Sequence, residues 1–298
     1  MMAEANPAAP PRSGAVVHLT GIDHTLIGVR DLDSARAVWQ GLGFTVSPRG
    51  RHIGWGTANY CIMLEEGYVE LLGIVDPSQF TNNLDKVLES REGMFALAFA
   101  SDDADRLAQE LAAAGLHPDG PKDLKRYLEL PDGDVLPAFK LLHLPPQETP
   151  ELRAFICQHL TPDLIRRPEW LSHANGARRL VAVTICSDRP ADAGFGYLPL
   201  FGEESLVAGD GEVDVATPSG TLRFMSPQWL KRRYGGAGEI PAVPNPWPAA
   251  MTIAVDDLDR AAGVLARRGV AFHSGESNLV IPAAAATGTI LELVASAE

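Results

Sequence analysis

Cysteine is scarce in this chain. Cys61, Cys157 and Cys186 are its only three in 298 residues, and none stands at a paired spacing. That excludes a disulfide framework or a thiolate zinc site and leaves three small core hydrophobes of a reducing compartment. Basic residues are also short, 25 Lys and Arg against 38 Asp and Glu, for a net charge of −13. A surface of that sign repels nucleic acid and anionic membranes, so neither is an expected partner. No apolar run approaches the length of a transmembrane helix. The opening MMAEANPAAPPRSGAV carries prolines and no long apolar stretch, so residues 1–20 read as a disordered leader and not a signal peptide. The expected location is cytoplasmic. Phosphate loops, dinucleotide glycine fingerprints, Gly-x-Ser-x-Gly elbows and helical His-Glu-x-x-His pairs are all missing.

What the chain does have is a repeat. VRDLDSARAVWQGLGF at 29–44 returns as VDDLDRAAGVLARRGV at 255–270, an offset of 226 (257 − 31). A third copy, DDADRLAQELAAAGL at 102–116, fits at an offset of 72 (115 − 43). Each copy follows an apolar run and opens on an acidic residue able to cap a helix. In the first copy Leu32, Ala35, Val38, Trp39 and Leu42 recur at helical spacing and Gly43 closes the helix. Strand-like runs follow at 44–47, 57–64 and 67–75, which makes a βαβββ unit.

The second unit starts at 94–100 with its helix at 103–114 and later strands at 136–144 and 152–159. The third starts at 179–186, with a poorly helical stretch and strands near 205–209, 212–217 and 220–225. The fourth starts at 250–255, with its helix at 257–268 and a last strand in GTILELVAS. The Pro- and Gly-rich stretch 226–249 reads as an ordered crossover loop, and 160–178 as a domain boundary. The expectation is an α+β protein with a domain at 21–178 and a second, degenerate one at 179–298. Paired modules, not a solenoid, suit a repeat of this length.

One position breaks the repeat. His24 has Ala96 (24 + 72) and Ala250 (24 + 226) as its counterparts, so the scaffold does not require a polar group there. A buried polar side chain is costly unless satisfied, which points to a site in the first unit. Glu70, between Val69 and Leu71, poses the same problem, although Glu292 sits in a similar pattern without a histidine.

The opening GxDHxxxxVxDLDxA at 21–35, the helix ending in LGF and the strand with YVELL resemble the vicinal oxygen chelate superfamily. RHIGWGTAN at 51–59 and CQHLTPDLIRRPEWLSHANGA at 157–177 resemble its glyoxalase-like branch. The resemblance implies four βαβββ modules paired into two half-open barrels, the cavity of the first binding a divalent metal such as iron, manganese, nickel or zinc. By the same resemblance His24, Glu70 and His159 would be the metal ligands, with Gln158 competing with His159 because strand neighbours point oppositely. Arg51, Thr57, Asn59 and Gln158 would contact substrate, and His52 or Glu70 would move a proton. Trp55, Tyr60, Phe99 and Phe155 are candidates for an apolar lining, while Arg166, Arg167, Arg178 and Arg179 read as a solvated face or an interdomain contact. The implied function is a metal-dependent isomerase, lyase or ring-cleaving dioxygenase of a small oxygenated molecule, compatible with a homodimer. Loss of a histidine at Ala96 leaves open a metal-free binding protein using the same cavity.

Overall fold

The computed structural model describes residues 16–296. The expected leader at 1–20 falls largely outside them, and its last residues already belong to a strand. Four βαβββ units follow one another. The first holds β1 (Leu19–Gly28), α1 (Leu32–Gly41), β2 (Gly50–His52), β3 (Thr57–Met63) and β4 (Tyr68–Ile74). After α2 (Leu84–Ser90) comes the second: β5 (Gly93–Ser101), α3 (Ala104–Ala113), β6 (Asp119–Leu128), β7 (Ala138–His143) and β8 (Ala154–His159). The third has β9 (Ala177–Cys186), α4 (Pro190–Phe195), α5 (Leu198–Phe201), β10 (Leu206–Gly209), β11 (Glu212–Thr217) and β12 (Gly220–Met225). Then α6 (Pro227–Tyr234) leads to the fourth, with β13 (Trp247–Val255), α7 (Leu258–Arg267), β14 (His273–Ser274), β15 (Asn278–Ile281) and β16 (Ile290–Ala295). Among the described residues no helix is long and apolar enough to cross a membrane.

Aspartate caps open the repeated helices as their spacing predicts. Asp31, Asp103 and Asp257 accept from Ser34 N, Arg106 N and Arg260 N at the starts of α1, α3 and α7. Three local expectations are corrected. No strand forms at 44–47; the second strand of the first unit is β2, which starts six residues later, at Gly50. β6 was not foreseen because Asp119–Leu128 is polar and mostly exposed along its first half. The crossover 226–249 is not all loop, since Ser226 caps the short helix α6.

The first eight strands form a ring in the order β1-β4-β3-β2-β6-β7-β8-β5, closed on one side by β1 against β5 and on the other by β2 against β6. The second eight make an open sheet, β10-β11-β12-β9-β13-β16-β15-β14. The first ring is therefore more closed than half-open. The second sheet's hollow is packed: Leu230 and Tyr234 from α6 join Trp247 and Ala250 of β13 and Val280 of β15 in one buried cluster. The largest apolar cluster lies between the halves and is common to both, joining Trp39 and Leu71 to Val183, Phe224 and Leu293.

Each unit's first strand carries a bulge at the same repeat position. The extra residue is Asp23 in β1, Phe95 in β5, Val181 in β9 and Ala249 in β13. A bulge re-aims side chains, and here the residue after it is His24, Ala96, Ala182 and Ala250 respectively. Parallel pairing then fixes the matching residue of each fourth strand: Leu26 faces Glu70, Ala98 (26 + 72) faces Phe155, Thr184 faces Arg223, and Thr252 (26 + 226) faces Glu292.

Glu292 is fully buried and is satisfied from within the second half. It accepts from Thr252 Oγ1 at 2.8 Å, Arg233 Nη2 at 2.9 Å and Asn278 Nδ2 at 2.6 Å. Burial raises its carboxyl, but the charge of Arg233 and these bonds outweigh it and hold it below its ordinary 4.5. A depressed carboxyl stabilises the fold fully above the unfolded value and loses that contribution as the pH falls through the folded one. Arg233→Gln is accordingly expected to cost about 1–3 kcal/mol at pH 7, less than a fully buried pair because Arg233 is half-buried. The cost should shrink below pH 4.5, where protonation begins to neutralise Glu292 without help. Urea unfolding of both proteins at neutral and acid pH checks this; a difference independent of pH contradicts it.

Candidate active site in the first ring

Inward-facing positions of β1, β2, β4, β6, β7 and β8 enclose a cavity of about 80 Å³ lined by His24, His52, Tyr68, Glu70, Arg126 and Phe155, with Trp55 and Cys157 among its other walls. The bulge turns Asp23 and His24 to the same side, so that His24 Nδ1 lies 2.6 Å from Asp23 Oδ2. The other ring nitrogen, Nε2, lies 3.5 Å from Glu70 Oε2. The imidazole stacks on Tyr68 with centroids 4.2 Å apart and meets Phe155 edge-on at 5.7 Å. Glu70 Oε1 accepts from Asn59 Nδ2. His24 and Glu70 are 3% and 6% exposed, so little water competes for them.

Asp23 joins two histidines, because His159 Nε2 is 2.9 Å from its Oδ2. Burial by itself raises the Asp23 carboxyl, yet the charge and hydrogen bond of His159, helped by those of His24, bring it well below the usual carboxylate range. An ionised carboxylate only accepts, so His24 donates from Nδ1 and His159 from Nε2. The other nitrogen of His24, Nε2, faces Glu70, and Nδ1 of His159 is buried with no hydrogen-bond partner among the described residues.

The expected ligand trio is divided by this arrangement. His24 and Glu70 face each other, whereas His159 turns its Nε2 to Asp23. Among the described residues, the three donors whose ligand atoms lie within 4.8 Å of one another are those of Asp23, Cys157 and His159. Burial pushes the Cys157 thiol well above its ordinary pKa. Register also corrects the fourth-strand assignment in the second unit. The residue matching Glu70 is Phe155, not Gln158 or His159, so that unit offers no donor at either matching position, Ala96 or Phe155.

Gln158 points out of the ring, as strand alternation demands once His159 points in. It accepts from Ala104 N at 3.0 Å and donates to Asp102 O at 2.8 Å, tying β8 to the start of α3. Arg51 also stays outside, 3.5 Å from Glu129 Oε1 and 4.5 Å from the Tyr127 ring. Thr57 and Asn59 lie inside and are buried; Thr57 Oγ1 is 2.9 Å from His52 Nδ1. Of the aromatic candidates, Trp55 and Phe155 line the cavity. Tyr60 instead donates to Asp33 on α1, and Phe99 packs between the halves against Phe201. Arg178 pairs with Glu65 and Asp256, an interdomain contact.

The sequence profile described as a glyoxalase-like domain matches residues 22–201, more than half of the chain. The chain belongs to the glyoxalase-like domain family. Its match runs past the expected boundary at 178 as far as α5. Comparison with curated proteins returns no match. Solved structures show the same fold at low identity. A hypothetical protein from Staphylococcus aureus is 15% identical with a TM-score of 0.66, over 92% of this chain and 99% of that one. A variant of 4-hydroxymandelate synthase from Streptomyces coelicolor is 13% identical with a TM-score of 0.56, over 93% and 92%. The Mn(II)-bound glyoxalase from Novosphingobium aromaticivorans is 14% identical with a TM-score of 0.53, over 94% and 83%.

One residue of this glyoxalase-like site was not visible in the sequence. Arg126, on the unforeseen strand β6, is 4% exposed, and its Nη1 has no hydrogen-bond partner. Its guanidinium lies 5.9 Å from the Phe139 ring, with Nη2 3.9 Å from Cys61 Sγ. A buried guanidinium with a free N–H on a cavity wall asks for an oxygen. The alternation Leu124, Arg126, Leu128 was the available signal, had β6 been recognised.

Proposed function

We propose that the first ring is a divalent-metal site acting on a small molecule with two neighbouring oxygens, and that its chemistry is proton transfer beside a carbonyl, of isomerase or lyase type. The supporting observation is the facing pair His24 Nε2 and Glu70 Oε2, two candidate ligand atoms 3.5 Å apart inside a cavity. A cation between them would be held by both. The Asp23 hydrogen bond to Nδ1 is the outer-shell contact that orients a metal-binding histidine. His24 and Glu70 would hold the ion, which supplies a Lewis acid for the substrate's oxygens. With no donor at Ala96 or Phe155, the remaining positions fall to water and substrate.

The chain's own residues supply the rest. Burial lowers the His52 pKa from its ordinary 6.5, only partly offset by the Glu70 charge, so the ring is neutral at pH 7. In the tautomer whose Nδ1 donates to Thr57 Oγ1, 2.9 Å away, its Nε2 carries the lone pair that takes a proton. Arg126 Nη1 donates to a substrate oxygen, and Tyr68 and Phe155 exclude water. In heavy water, a panel of small 2-oxo and 2-hydroxy acids should exchange the proton next to the carbonyl. His52→Gln should slow that exchange by roughly 10²–10⁴-fold with ion binding intact. A variant exchanging at the parent rate contradicts the assignment.

Ala96 and Phe155 favour a second reading, a metal-free binding protein using the same aromatic-walled cavity. Ligand binding that survives a chelator unchanged supports it over the first.

A further inference from the structure

The cavity continues beyond His24 and Glu70. Asn82, His143 and Phe155 line it and also line a second hollow beside α2. That hollow shares Phe95, His143 and Arg153 with a cleft of about 760 Å³ between the first ring and residues 243–248 of the second half. His143 borders all three spaces and stacks on Phe155, with ring centroids 6.1 Å apart. The three hollows therefore adjoin one another, with His143 and Phe155 at the border nearest the site.

The cleft opposes the charge of the protein. In a chain of net charge −13 it gathers Lys86, Arg91 and Arg153 against one acid, Glu151, among its described lining residues. Arg91 donates to Met94 O at 2.7 Å and lies 5.5 Å from the Trp247 ring. Arg153 donates to Asn82 O at 2.9 Å and lies 5.7 Å from the Phe95 ring. Both guanidinium groups are thus fixed by backbone carbonyls and aromatic faces. Burial is the one influence that shifts them, and it lowers them, as happens where no carboxylate is close. Among the described residues neither guanidinium forms an ion pair with a carboxylate, and positive charges held in place in this way are preorganised for an anion.

We propose that the substrate is an anion whose carboxylate or phosphate group docks on Arg91 and Arg153 in this cleft, while its oxygen-bearing end passes His143 and Phe155 to reach His24 and Glu70. The proposal rests on the first ring being the reactive site, but the docking step needs no metal.

Calorimetric titration of the full chain, stripped of metal and dialysed free of chelator, with inorganic phosphate and separately with acetate at constant ionic strength, tests it. At least one anion should bind saturably. Binding of phosphate alone marks a phosphate-type head group, and binding of both marks a carboxylate as sufficient. The double variant Arg91→Gln/Arg153→Gln should bind roughly tenfold or more weakly, whereas His24→Ala should bind as the parent does. Lys86→Gln, an exposed change that leaves packing intact, should weaken binding by roughly two- to fivefold. The proposal is overturned if neither anion binds, or if the double variant and Lys86→Gln both bind as tightly as the parent. Failure of the metal reading leaves these anion results unchanged, so the two ideas fail separately.

Discussion

Trp39→Ala is expected to cost about 3–5 kcal/mol, the range for emptying a large buried aromatic site. The side chain is fully buried on α1, and its Nε1 donates to Thr287 Oγ1 at 3.0 Å, which ties the first unit to the fourth. Truncation opens a cavity in the cluster shared by both halves and leaves a hydroxyl unpartnered. Against a total stability of about 5–15 kcal/mol this is a large fraction. Trp39→Phe keeps most of the volume and should recover most of the loss, leaving about 1 kcal/mol for the missing hydrogen bond. Because the shared cluster is continuous, both halves should unfold in one urea transition. Two separated transitions, or a Trp39→Ala cost under about 1 kcal/mol, would show that the halves stand independently.

The second large effect is expected at Asp23. This residue is not among those lining the cavity; it accepts hydrogen bonds from the ring N–H groups of His24 and His159, which suits a positioning role. Asp23→Ala removes both anchors, frees His24 to rotate and switch tautomer, and should weaken ion binding by roughly 10–100-fold. His24→Ala should abolish ion binding and turnover together. Asp23→Asn, which keeps an oxygen acceptor but loses the charge, should fall between the parent and Asp23→Ala. A simple packing role would instead destabilise the fold while leaving ion affinity unchanged, so measuring affinity beside urea stability separates the two. Equal affinity in all three Asp23 proteins contradicts the positioning role.

The modules were legible because a capped amphipathic helix followed by Gly is a local pattern, repeated at fixed offsets. His24 stood out for the same reason, since its repeat partners are alanines. Asp23 did not, because a bulge is a property of two strands: an extra residue in β1 is visible only against β5. Register explains Phe155 in the same way. The fourth-strand position is set by pairing with Ala98, so counting along β8 toward Gln158 and His159 missed it. Arg126 and the cleft lay out of reach because the first arises on a polar strand and the second from segments far apart in sequence.

The most direct test of the central claim, that His24 and Glu70 share a cation, is a manganese(II) titration of tag-free protein, followed by the electron paramagnetic resonance signal of the free ion. The account predicts a single saturable class of site in the parent, roughly tenfold or more weaker in Glu70→Gln, with the ion displaced by zinc or nickel. No uptake of manganese by the parent, or equal uptake by Glu70→Gln, would contradict it.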